Sequence, residues 1–128
     1  MKKWIILLLS VMMIAGCGQE KEKDREAVYM NITAQEATVI MDSQEDYTIL
    51  DVRTQEESDQ GHIPGAILIP DYEIEEKAAQ GRRDKHQLLL VYCRSGRRSK
   101  LAAEALVALG YTNIKEFGGI IDWPYEVQ

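Results

Sequence analysis

A chain of 128 residues, 45% hydrophobic and 28% charged, is sized for one globular domain with a core of its own. Its 21 acidic residues outnumber 15 basic ones, for a formal net charge of −6. That balance speaks against nucleic acid as a partner, because phosphate neutralisation dominates such affinity, and it offers no attraction to anionic lipid headgroups.

The chain starts with Lys2 and Lys3, followed by an apolar stretch from Trp4 to Ala15 broken only by Ser10. As a helix that stretch spans about 18 Å, short of a hydrocarbon core of about 30 Å, so a secretion signal fits better than a spanning helix. It closes on Ile14-Ala15-Gly16-Cys17. The pattern apolar-small-small-Cys resembles the lipobox of bacterial lipoproteins, which implies removal of residues 1–16 and lipidation of Cys17. Without Lys2 and Lys3, 13 basic residues face 21 acidic ones, a net charge of −8. Lipid on Cys17 would anchor the protein on the extracytoplasmic face of a bacterial cell membrane, since two acyl chains hold firmly where one is marginal. Gly18 to Glu26 is polar and mostly charged. The composition reads as a tether over 17–27, with the folded domain at 28–128.

Within that domain, Val28–Ile32 is a weak first strand. Thr33 and Glu36 form a capping box that opens a short helix to about Met41. Tyr47–Val52 is rich in β-formers and reads as a buried strand. Arg53–Gly61 has no apolar residue and is expected to be a loop or a short surface helix. A turn at Pro64-Gly65 leads to a strand at Ala66–Ile69, and Asp71–Gln80 is helical by propensity. Gln87–Tyr92 is the most apolar run, which predicts a central strand covered on both faces. A helix is expected from about Arg97, with Leu101, Ala105 and Leu109 on a stripe beside Ala102 and Leu106, and Gly110 ending it. Asn113–Phe117 is the last strand, and Gly118–Trp123 opens a final turn. Strands alternating with helices predict an α/β domain: about five strands in a mostly parallel sheet flanked by helices.

Ligands in such sheets sit at the carboxyl ends of the strands. Cys93 stands there, after the most buried strand and before a helix. If Cys17 carries lipid, Cys93 has no disulfide partner, and an unpaired thiol in an oxidising compartment points to a reactive role. A thiol attacks as its thiolate, which cations and a helix N-terminus favour. The sequence supplies both. Arg94, Arg97 and Arg98 follow within five residues, and the curl from strand to helix turns successive N–H groups inward as an anion nest. Gly96 allows the positive φ such a curl needs. Ser95 and Ser99 add hydroxyls. Cys93 is therefore the candidate nucleophile, with Arg94, Ser95, Gly96, Arg97 and Arg98 as candidate substrate-binding residues. His62 and His86 form no metal-ligand pattern with Cys93.

The loop from Cys93 to Arg98 resembles the six-residue active-site loop of the rhodanese family. Phosphatases related to it have an arginine one position later, where Ser99 stands and cannot clamp a phosphate. Leu50–Pro70, with Asp-Val-Arg and Gly-His-Ile-Pro-Gly-Ala, and Gly118–Trp123 resemble further motifs of the same family. The resemblance covers residues 32–123. It implies that the Cys93 thiolate takes a sulfane sulfur from a donor such as thiosulfate and becomes a persulfide. Cyanide or a biological thiol then removes the sulfur, and no metal or organic cofactor is needed. It implies a small sulfur-containing substrate and a protein as a further sulfur acceptor; the self-contained alternation of strands and helices predicts a monomeric domain. Asp51 and Arg53 match the family's Asp-x-Arg and are expected to brace the pocket through an ion pair or loop hydrogen bonds rather than react. The alternative function is a non-enzymatic persulfide carrier serving a partner protein. Two departures are visible: Ser58 stands where the family often has an aromatic residue, and the tail after Trp123 is short.

Overall fold

A computed structural model describes residues 28–43, 45–80 and 84–128. The signal segment, Cys17 and the tether lie outside the described residues. Among the described residues, no helix is long and apolar enough to cross a membrane.

Every residue of β4 (Leu88–Cys93) is buried. A continuous apolar run of that kind needs cover on both faces. β4 lies at the centre of a parallel sheet, between β2 (Tyr47–Asp51) and β5 (Ile114–Gly119). β3 (Ile67–Leu68) and β1 (Met30–Asn31) form the edges, also parallel, giving the order β1-β5-β4-β2-β3. Side chains alternate across a strand. Leu89, Val91 and Cys93 therefore meet the residues of α3 (Ile74–Gln80) and α4 (Arg97–Ala108), among them Ile74, Ala102 and Leu106. Leu88, Leu90 and Tyr92 point the other way, to Phe117, Ile63 and Ala37 of α1 (Ala34–Met41).

The expected α/β class and parallel sheet are present, with differences at the element ends. The two edge strands are shorter than predicted, since each has a partner on one side only. β5 runs past Phe117 through both glycines. Gly118 at φ +89° and a register shift opposite Val91 and Cys93 let the strand continue where a break was expected. The Thr33–Glu36 capping box is present. A second box, Thr54 with Glu57, opens the short helix α2 (Gln55–Asp59) within the segment read as loop or helix.

The stripe predicted for α4 is corrected at Leu101, which is 53% exposed. The buried side of α4 carries Ser99, Ala102, Ala103 and Leu106. Two residues along a helix is a rotation of about 200°, so burying Ser99 turns Leu101 outward. Gly110 at φ +96° follows the C-cap residue Leu109, as expected.

The short tail is tied down. The N–H of His62 donates to the Gln128 carbonyl and the N–H of Gln128 to that of His62, each at 2.8 Å. Ser58 is buried without an aromatic ring, and its carbonyl meets His62 Nδ1 at 3.1 Å.

Candidate active site

Cys93 ends β4 with its side chain wholly enclosed. The chain then curls through Arg94 and Ser95 to Gly96, the N-cap residue of α4, at φ +103°. Glycine adopts that left-handed conformation without steric cost. The curl aims the Gly96 N–H at Cys93 Sγ, 3.0 Å away. No side chain caps α4, so its first N–H groups and the positive end of the helix stand at the loop without a side-chain acceptor. The loop rests on β5, where Gly119 pairs with Cys93. A Cβ on Gly119 would overlap the Arg94 carbonyl and lie 2.6 Å from Ser95 Cα. Ile121 N–H donates to the Arg94 carbonyl at 3.2 Å and fixes the same contact.

The three arginines divide. Arg94, Arg97 and the intervening Ser95 are exposed at the loop. Arg98 reaches back to α2 and grips Glu57 with both terminal nitrogens, at 2.7 and 2.8 Å. Its hydrogen bonds hold the Glu57 carboxyl down to about 2, against the opposing effect of burial. The same pair raises the Arg98 guanidinium. Arg98 thus locks α2 to α4, while among the described residues Arg94 and Arg97 form no salt bridge.

Asp51 and Arg53 do pair, with Nη2 at 2.6 Å and Nε at 2.9 Å from the carboxylate oxygens. Burial opposes the charge of Arg53, and Asp51 more than offsets it, so the guanidinium is raised. Arg53 also donates to the Gly61 carbonyl at 2.7 Å. Tyr92 donates to Asp51 at 2.9 Å and accepts the Ile63 N–H at 3.0 Å. Burial pushes the Tyr92 hydroxyl up, so it stays a donor. This network fixes the segment Gly61–Ile63 beside the loop, and none of its hydrogen bonds reaches Cys93. A cleft of about 350 Å³ opens between them, lined by Arg53, Arg94, Ile121, Trp123, Tyr125 and Val127.

Sequence reasoning missed Glu57, Tyr92, Gly119 and Glu116. Glu57 was marked by the spacing Thr-x-x-Glu, the same signal that revealed the Thr33 box. Glu116 was marked by alternation. It shares the face of Ile114 on β5, so a carboxylate occupies an inward position, at 2% exposure. Ser99 was read as a hydroxyl donor of the loop. It is buried instead, donating to Glu116 at 2.6 Å.

Comparison with known proteins places this geometry. The sequence profile of the rhodanese-like domain matches residues 33–124. The thiosulfate sulfurtransferase PspE of Escherichia coli K12 is 42% identical over 73 residues, covering 57% of this chain and 70% of that protein. A sulfurtransferase of Allochromatium vinosum is 38% identical over 80 residues, covering 62% of this chain and 73% of its own. The crystal structure of a rhodanese-related protein from Thermoplasma volcanium superposes with a TM-score of 0.67 at 35% identity, covering 78% of this chain and 98% of the other.

Proposed function

The chain belongs to the rhodanese-like domain family and is a sulfurtransferase; on that premise we propose that Cys93 carries the sulfur and that thiosulfate is a donor. The observation that carries this reading is the Gly96 N–H aimed at Cys93 Sγ beneath an uncapped helix start. The Cys93 thiolate attacks the outer sulfur of thiosulfate. The new S–S bond forms as the bond to the sulfonate sulfur breaks, and sulfite leaves with that electron pair. The terminal sulfur of the persulfide then carries the negative charge. Gly96 N–H and the first N–H groups of α4 stand where that charge develops. Cyanide or a thiolate attacks the terminal sulfur, leaves as thiocyanate or a new persulfide, and returns the Cys93 thiolate. Arg94 and Arg97 draw in the anionic donor and Ser95 adds a hydroxyl, while Asp51 and Arg53 support the pocket. Turnover is favoured over a non-enzymatic carrier by the names of the relatives. Lipid on Cys17 would hold the enzyme at a membrane surface, a reading supported by the sequence Ile14–Cys17 alone.

Thiosulfate treatment of the purified domain should add the mass of one sulfur atom, and cyanide should remove it with release of thiocyanate. Cys93→Ser should lower turnover to background while leaving the circular dichroism unchanged. Turnover that survives Cys93→Ser would overturn the assignment.

A further inference from the structure

We propose that Glu116 is the proton acceptor for the Cys93 thiol, reached through Ser99. The inference rests on the sulfur-transfer reading, in which Cys93 must become a thiolate. Cys93 and Ser99 are 0% exposed and Glu116 is 2% exposed, and the groups within hydrogen-bond reach of the thiol are Ser99 Oγ and the Gly96 N–H.

The three side chains form one hydrogen-bonded line. The Cys93 S–H donates to Ser99 Oγ at 3.3 Å. Ser99 has one proton and three acceptors in reach: Glu116 Oε1 at 2.6 Å, the Gly96 carbonyl at 3.0 Å and the Gly118 carbonyl at 3.4 Å. The shortest contact is to the carboxylate, and it has the length of a charge-assisted O–H···O⁻ bond. With its proton on that bond, Ser99 turns a lone pair toward the thiol. Gly118 N–H donates to the same Oε1 at 2.8 Å and holds the carboxylate in place.

The proton step conserves charge within the site. The S–H bond of Cys93 breaks and an O–H bond forms on Ser99. The original Ser99 proton passes to Oε1, leaving a neutral carboxyl and a thiolate. One negative charge is buried before the step and one after it, and it arrives on the sulfur at which Gly96 N–H already points. Two buried anions at this spacing would repel strongly. The groups around Glu116 suit the role: Ser99 of α4 donates to it, and the Tyr29 hydroxyl beside β1 is raised by burial first, then by the charges of Glu104 and Glu116. Among the described residues, no lysine, arginine or histidine forms a salt bridge with it. A cation there would hold the carboxylate charged and stop it taking a proton.

Glu116→Gln keeps the shape and both accepted hydrogen bonds but cannot bind the proton. The rate of Cys93 alkylation by iodoacetamide is to be followed against pH by intact mass. With the thiol proton passed to Glu116 inside the site, the wild-type rate should level off to a plateau as pH falls. In Glu116→Gln the plateau should vanish, and the rate should fall about tenfold for each pH unit. Ser99→Ala breaks the line elsewhere and should lose the plateau too, which covers the case of a misfolded Glu116→Gln. A plateau kept in either folded variant would overturn the proposal, as would a wild type that lacks one. Alkylation needs no sulfur donor. A wild type with the plateau but no persulfide after thiosulfate would sink the donor assignment and leave the relay standing.

Discussion

The space that a side chain on Gly119 would need is filled by the backbone of Arg94 and Ser95. The second glycine of the Gly-Gly pair is therefore a requirement of the Cys93 loop, imposed from the neighbouring strand. Gly119 itself has extended dihedrals, so close approach is the constraint and φ is not. In Gly119→Ala the clash is with main chain, which has no rotamer to yield, and the loop must lift. Overpacking of this kind costs roughly 1–3 kcal/mol or more. The expected outcome is a lower urea midpoint and sulfur-transfer activity at least tenfold down, because the Gly96 N–H moves off Cys93 Sγ. Activity equal to wild type would mean that the loop tolerates displacement and that its N–H geometry is not what serves the sulfur. By contrast, Arg94 and Arg97 are exposed.

At the scale of elements, the site is held by helix ends. α2 has five residues, too few to persist on its own packing. The Thr54 capping box starts it and the Glu57–Arg98 pair fixes it to the first turn of α4. Glu57 has a folded pKa of about 2 against an ordinary value near 4.3. A depressed carboxyl stabilises the fold above its unfolded pKa and loses that contribution as pH falls through the folded one. The pair is partly exposed, so solvent screening reduces its worth to on the order of 1 kcal/mol or less. Glu57→Gln keeps the capping box and removes the charge. Urea unfolding should show the wild type more stable by about that amount at neutral pH, with the gap closing between about pH 5 and pH 2. A gap that does not change across this window would assign the effect to capping. The elements themselves were legible because β4 is uniformly apolar, α1 has a capping box and α4 a glycine stop. What stayed hidden were partners distant in sequence. No local pattern says that Arg98 spends its charge on Glu57, 41 positions away, or that Ser99 faces Glu116. Leu101 was misplaced for the same reason: the claim of a buried polar network on Ser99 outweighs the apolar stripe.

At the scale of the whole molecule, all the described packing closes without residues 1–27. The two core layers share β4, β1 adds two residues at one edge, and the tail is hydrogen-bonded to His62 beside the cleft. The proposed work of the part before Val28 is location, a reading that rests on the sequence Ile14–Cys17. Two forms of the protein separate these roles. The fragment 28–128 should unfold in one cooperative transition and transfer sulfur with the same kcat as the longer chain. Full-length Cys17→Ala, made in a bacterial host, should leave the membrane fraction or remain unprocessed. Cells should then hold an active domain in the wrong place, with Cys93 unaffected. If Cys17→Ala stays in membranes and is processed as before, the anchor lies elsewhere. If the fragment is unfolded by circular dichroism, the boundary at Val28 is wrong and the N-terminal part contributes to the fold.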